Sequence, residues 1–83
     1  MTFFFSFLAA TAVSQCLYYL ACDDSSMEKI CHLPQPILQK MVKYMLWNME
    51  CSHESGKQWA INFFGLASNF RILLNIIDEE DGK

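Results

Sequence analysis

Apolar residues recur at three- and four-residue spacing through the second half of this chain. The clearest stretch covers residues 36–50, where Ile37, Leu38, Met41, Val42, Met45, Leu46 and Met49 line one broad face. That spacing predicts an amphipathic helix. Lys40, Lys43 and Asn48 supply its wet side, with Tyr44 and Trp47 at the margins. A second helix is expected over about residues 56–77. Trp59, Phe63, Leu66, Ala67, Phe70, Leu73, Leu74 and Ile77 lie on one side, and Phe64, Ile72 and Ile76 spread apolar cover further round. A single helix of that length spans about 30 Å. One that is apolar over more than half its circumference normally lies between two neighbours. Gly65 costs about 1 kcal/mol relative to Ala inside a helix, so the expectation is that it permits close approach of a partner. The six residues Cys51-Ser52-His53-Glu54-Ser55-Gly56 have the length of a connection between packed antiparallel helices.

The N-terminal half is less periodic. Residues 3–22 form a run of twenty uncharged residues, and a helix over about residues 4–22 is expected. Its inward face would carry Leu8, Thr11 or Ala12, Gln15 or Cys16, Tyr19 and Leu20. The same run invites two other readings. Phe3-Phe4-Phe5-Ser6-Phe7-Leu8 followed by small residues resembles a signal-peptide core, and twenty uncharged residues reach the length of a membrane span. No Lys or Arg precedes the apolar core, and Ser6, Thr11, Ser14 and Gln15 dilute it, which favours a buried helix over secretion or insertion. Ser25 and Glu28 have the spacing of a capping box and would open a short helix ending near Cys31. Leu33-Pro34-Gln35-Pro36 ends it, because a residue before proline is pushed towards extended geometry. Pro36 then suits the first turn of the next helix.

These elements describe an all-α chain of about four helices, with the length of an armadillo/HEAT-like helical repeat fragment. Composition sharpens that picture. The chain has 83 residues, 53% of them hydrophobic and 18% charged. A domain of this size hides only about 60% of the surface its unfolded chain exposes. The apolar content therefore exceeds what one small layer comfortably buries, and a neighbour is expected.

The formal net charge is −3, and it is unevenly placed. Over residues 1–77 Lys29, Lys40, Lys43, Lys57 and Arg71 balance Asp23, Asp24, Glu28, Glu50 and Glu54. The excess lies in Asp78-Glu79-Glu80-Asp81, offset by Lys83. No basic stripe follows a phosphate backbone, which argues against nucleic acid as a partner. Asn62, Asn69, Arg71 and Asn75 argue against a membrane span in the last helix, since a central Arg costs about 2.5–3.5 kcal/mol on insertion scales. Asp81 reads as the N-cap of a further helix, or the acidic run as a docking patch.

Candidate chemistry is sparse. Cys31-His32 and Cys51-Ser52-His53 are the suggestive clusters. A zinc site usually pairs its ligands two to four residues apart, and neither cluster does. A Cys–His nucleophile needs an orienting third group and an oxyanion site, and no Gly-rich turn or companion acid supplies them. The plainer reading is that Ser52 or His53 caps the connection while Cys51 plugs the end of a core. Four cysteines, at positions 16, 22, 31 and 51, allow three disulfide connectivities, yet Cys16 within an apolar helix suits a reduced core thiol. Met41, Met45 and Met49 suit ordinary core better than a pliable peptide groove. No catalytic, cofactor-binding or metal-binding residue is assigned, and no enzyme activity or cofactor is expected.

Several stretches resemble one family in collinear order. They are Ala9-Ala10-Thr11-Ala12-Val13-Ser14-Gln15-Cys16-Leu17-Tyr18-Tyr19-Leu20, Met27-Glu28-Lys29-Ile30-Cys31, the run from Tyr44-Met45-Leu46-Trp47 through Asn48-Met49-Glu50-Cys51-Ser52-His53 to Glu54-Ser55-Gly56, then Phe63-Phe64, Phe70-Arg71 and Asp81-Gly82. Together they are similar to the Vpr-binding protein family, called Mahjong in insects, over residues 9–82. The resemblance implies part of an armadillo-like N-terminal helical region, with residues 1–8 a divergent Phe-rich start and 9–83 a partial domain. It also implies a link to cullin-4 RING ubiquitin ligases, whose substrate receptors these proteins are, through the damaged-DNA-binding protein 1 adaptor. That family reaches the adaptor through a WD40 propeller, for which no counterpart is read here, so no propeller residue carries over. A non-catalytic fragment with protein partners is therefore expected, among them a full-length family receptor or its ligase complex. The implied setting is nucleus and cytoplasm.

Overall fold

The computed structural model describes residues 2–51 and 54–82. It holds helices α1 (Thr2–Ala21), α2 (Asp24–Cys31), α3 (Gln35–Cys51), α4 (Glu54–Ala67) and α5 (Arg71–Asp81), with no strand among the described residues. The all-α expectation holds, with five helices where about four were expected. α4 lies between α1 and α3, α5 folds back onto α3, and α2 packs on α1. The core gathers Met27, Leu38, Val42, Met45, Ala60, Phe63, Ala67, Leu73 and Ile76, with Ala21 at its edge.

The extra helix comes from a break inside the expected 56–77 helix. At Ser68-Asn69-Phe70 the bonding tightens: Asn69 N–H donates to the Leu66 carbonyl at 3.2 Å and Phe70 N–H to Ala67 at 3.0 Å. The Ser68 hydroxyl donates to the Gly65 carbonyl at 3.2 Å. Ser and Asn compete with the helix for its own backbone groups, and Phe70 turns extended at φ −106° and ψ 116° to start α5. The turn re-aims the apolar stripe, so that Leu73 and Ile76 are buried.

α1 and α4 make the most intimate contact in the fold. α4 turns Gly56, Ala60, Phe63 and Ala67 inward. α1 answers with Ala10, Ser14 and Ala21, all buried, and with Leu17 packed at the core margin. Small residues at helical spacing let two helix axes approach closely. This corrects the inward face expected from sequence. Leu8, Tyr19 and Leu20 point outward, Tyr19 at 58% exposure, and Cys16 is exposed rather than a core thiol. Gly65 does not serve close approach either: a Cβ there would meet nothing within 4 Å. Gly56 is the buried glycine of α4.

Capping also differs in detail. α2 is opened by Asp23, whose carboxylate accepts from Ser26 N–H at 3.0 Å and from the Ser26 hydroxyl at 2.7 Å, so Ser25 is not the cap. Those two bonds, the hydroxyl first, hold the Asp23 carboxyl below its ordinary value. Pro36 sits in the first turn of α3 as expected, and the Pro34 carbonyl accepts from Ile37 N–H at 2.9 Å. Asp81 lies in the last turn of α5, and the Gly82 N–H donates back to the Asp78 carbonyl at 3.0 Å.

α3 largely keeps its expected face. Leu38, Val42 and Met45 are fully buried, while Met41, Leu46 and Met49 pack against them. Ile37 faces outward at 49% exposure. The exception on the other side is Asn48, expected wet and found fully buried.

Candidate functional site

Cys31 and His32 do not form a reactive pair. Burial pushes the Cys31 thiol up from its ordinary value, and the Glu28 carboxylate adds to the effect. A thiol held protonated is a poor nucleophile and a poor ligand. The His32 Nδ1–H donates to the Glu28 carbonyl at 2.7 Å, which spends that ring nitrogen on the end of α2. Ser52 and His53 lie outside the described residues, as does the side chain of Cys51. Among the described residues no three His, Cys, Asp or Glu side chains converge as metal ligands, and Cys16, Cys22 and Cys31 are free thiols.

The Met series is core rather than groove, since Met45 is fully buried and Met41 and Met49 pack on the cluster. Met45 also belongs to a buried polar knot. The Asn48 amide donates to Ser14 Oγ at 2.8 Å, joining α3 to α1. Met45 Sδ lies 3.7 Å from both Ser14 Oγ and Asn48 Nδ2. Asn48 Oδ1 is buried and accepts no hydrogen bond.

Two outward features remain. The first is the exposed side of α1, where Leu8, Val13, Tyr19 and Leu20 are bare and Tyr19 reaches the margin of α4. Tyr18, Tyr19 and Trp59 extend it as a ring cluster, with centroids 5.3–5.7 Å apart. α1 has no acidic residue in its first turn and no basic one in its last; it has no charged side chain at all. An uncharged helix bare on its outer side is the signature of a packing surface. Among the described residues, no helix is long and apolar enough to cross a membrane.

The second is a groove of about 320 Å³ where the C-terminal halves of α3 and α5 meet. It is lined by Lys43, Leu46, Trp47, Glu50, Glu80 and Asp81. Lys43 Nζ lies 3.9 Å from Glu80 Oε2. Trp47 is 40% exposed and meets Tyr44 edge-on at 5.9 Å.

Known proteins speak directly to this helical layout. The family profile described as the Mahjong helical domain matches residues 3–34, which hold α1 beyond its first residue and all of α2. Protein mahjong of Drosophila melanogaster is 40% identical over 75 residues, 90% of this chain. The aligned stretch is similar to the Mahjong family. Further family relatives are the DDB1- and CUL4-associated factor homolog 1 of Caenorhabditis elegans, 39% identical over 75 residues, and that of Arabidopsis thaliana, 30% identical over 69. The chain spans 5% of the length of the fly protein and 4% of the nematode and plant proteins. No solved structure matches it.

Sequence reasoning missed the aromatic cluster, and of the groove it offered only the acidic run, as a docking patch. The Tyr18–Tyr19–Trp59 cluster joins residues about forty positions apart, and nothing local marks it. The groove left one further trace: Glu50 stands in the last turn of a helix, where the backbone's own partial charge disfavours an acid.

Proposed function

We propose that this chain is a non-catalytic layer of an armadillo-like protein-interaction domain in a ubiquitin-ligase substrate receptor that works with DDB1 and cullin-4. The outer face of α1 carries the reading. Leu8, Val13, Tyr19 and Leu20 lie bare on a helix without charge, a surface suited to burial beneath a neighbouring helix of the same domain. Each buried methylene there contributes about 0.8 kcal/mol, so covering four such side chains outweighs the cost of ordering them. The names of its relatives, DDB1- and CUL4-associated factors, supply the ligase setting, and nucleus and cytoplasm are the compartments in which it would act. Proteins of this kind select partners by surface and leave bond-breaking to others.

The test is co-purification of a tagged chain after mild crosslinking in cells. Recovery of a family receptor or of DDB1 and cullin-4, weakened by Val13→Ser with Tyr19→Ser, supports the reading. Recovery of none of them by the folded chain overturns it.

A further inference from the structure

The core of the chain is apolar except at one point. Among the described residues, Ser14 and Asn48 are the buried polar side chains, and they are bonded to each other. The bond joins α1 to α3, two helices that touch only lightly, since α1 leans mainly on α4. Asn48 Oδ1 stays without a partner, and Met45 Sδ is a weak acceptor. The pair therefore forfeits hydrogen bonding that an apolar pair would not need. A core pair of this kind adds little stability over an apolar replacement. Its best-attested use in helical assemblies is to select one register among several of similar burial.

α1 is a helix in need of such selection. It carries no charged side chain to mark an outer side. Its inward stripe, Ala10, Ser14, Leu17 and Ala21, advances by four, three and four residues. The α4 stripe that it meets, Gly56, Ala60, Phe63 and Ala67, advances in the same steps. Matched spacing lets the two stripes mesh nearly as well after α1 slides by one turn. Within the stripe, however, the positions one turn from Ser14 are Ala10 and Leu17, which offer Asn48 no side-chain acceptor. Rotation meets the same obstacle. Val13 and Leu20 lie about a third of a turn round the helix from Ser14. Both are exposed, and both are larger than the alanines now buried. Turning them inward would hide more apolar surface, but it places Val13 opposite Asn48.

We propose that the Ser14–Asn48 hydrogen bond is the register pin of α1. It selects the depth and rotation at which α1 lies on α4, and so decides which side chains the helix presents outward. A slid or rotated α1 leaves the buried Asn48 amide without its acceptor, which suppresses those packings about tenfold or more. In the selected position Tyr18 and Tyr19 reach Trp59 of α4 at ring-centroid distances of 5.3 and 5.6 Å, while Leu8, Val13 and Leu20 stay bare. The pin aims the outer face of α1 whatever later covers it, so its test is independent of the ligase reading.

The test uses the full 83-residue chain, isotopically labelled, and reads urea midpoints beside nuclear magnetic resonance spectra. The natural chain gives one set of α1 resonances, with cross-peaks between the Trp59 indole and the Tyr18 and Tyr19 rings. Ser14→Ala with Asn48→Leu unfolds at no lower urea concentration, yet its α1 resonances double or broaden and those cross-peaks fall by about half or more. Asn48→Leu alone does the same, because the Ser14 hydroxyl can turn to the Ala10 carbonyl of its own helix. Met41→Leu, a volume-conserving change on α3 outside the knot, leaves both readouts as they are in the natural chain. One sharp set of α1 resonances with full cross-peaks in either knot variant overturns the proposal, as does more than one set in the natural chain. So does a lower urea midpoint in either knot variant, which would make the bond a source of stability, or equal doubling in Met41→Leu.

Discussion

Ser14→Ala isolates what the buried polar knot contributes. In the folded chain Asn48 is fully shielded from water, its amide donates to Ser14 Oγ at 2.8 Å, and its carbonyl oxygen already lacks a partner. Turning the amide over would let Ser14 donate to the oxygen but would orphan the NH2 group, so one end is unmet in either orientation. Deleting the hydroxyl leaves Met45 Sδ at 3.7 Å as the amide's remaining contact, a weak acceptor. A buried polar group without its partner costs about 1–3 kcal/mol, against about 1 kcal/mol net for an ordinary hydrogen bond. The lost oxygen leaves too small a void to compete. Ser14→Ala should therefore destabilise by about 2 kcal/mol. Adding Asn48→Leu removes the remaining orphan groups at similar volume, and the double variant should equal or exceed the natural chain in stability. The two substitutions should couple by at least about 1 kcal/mol. Urea unfolding followed by far-ultraviolet circular dichroism measures all four corners of the cycle. A neutral Ser14→Ala, or a double variant less stable than either single one, would refute the reasoning. In that case the knot would be stabilising as a unit.

Other substitutions probe the rest of the fold. Phe63→Ala should cost about 3–5 kcal/mol, because Phe63 is fully buried and the cavity lies at the α3–α4 contact. Phe64→Ala should cost less, since Phe64 is only partly buried at the edge of that cluster; equal urea midpoints for the two would contradict this core. Gly65→Ala should raise the thermal midpoint, since the site is open and Ala gains about 0.5–1 kcal/mol over Gly within a helix; a lower midpoint would mean that something covers α4 there. Asp23 has a lowered folded-state pKa, so its stabilisation is present above the unfolded value. It is lost as pH falls below the ordinary carboxylate range and through the folded value. Asp23→Ala should flatten that part of the acid melt, and an unchanged acid limb would show that the cap contributes nothing.

Local patterning carried further in some elements than in others. α3 was legible because Leu38, Val42 and Met45 alternate with charged residues, leaving one possible inward side. The break at Ser68-Asn69-Phe70 was hidden, because apolar residues on both sides of it fit one continuous stripe and two polar residues do not by themselves stop a helix. The groove was hidden for another reason. Trp47 and Glu50 are close in sequence to each other but far from Glu80 and Asp81, and their meeting depends on α5 folding back onto α3.

Periodicity and composition by themselves established a helical chain, its richest apolar face on α3 and an excess of apolar surface. These follow from local rules, since hydrogen bonding and side-chain spacing within a helix involve residues at most four apart. Which side of α1 turns inward, and that Asn48 is dry, were decided only by tertiary packing. An uncharged helix with apolar residues all round has no preferred face until a partner arrives. Here Gly56, Ala60 and Ala67 of α4 chose its small side, Ala10, Ser14 and Ala21, because close backbone approach there outweighed hiding the larger Leu8, Tyr19 and Leu20.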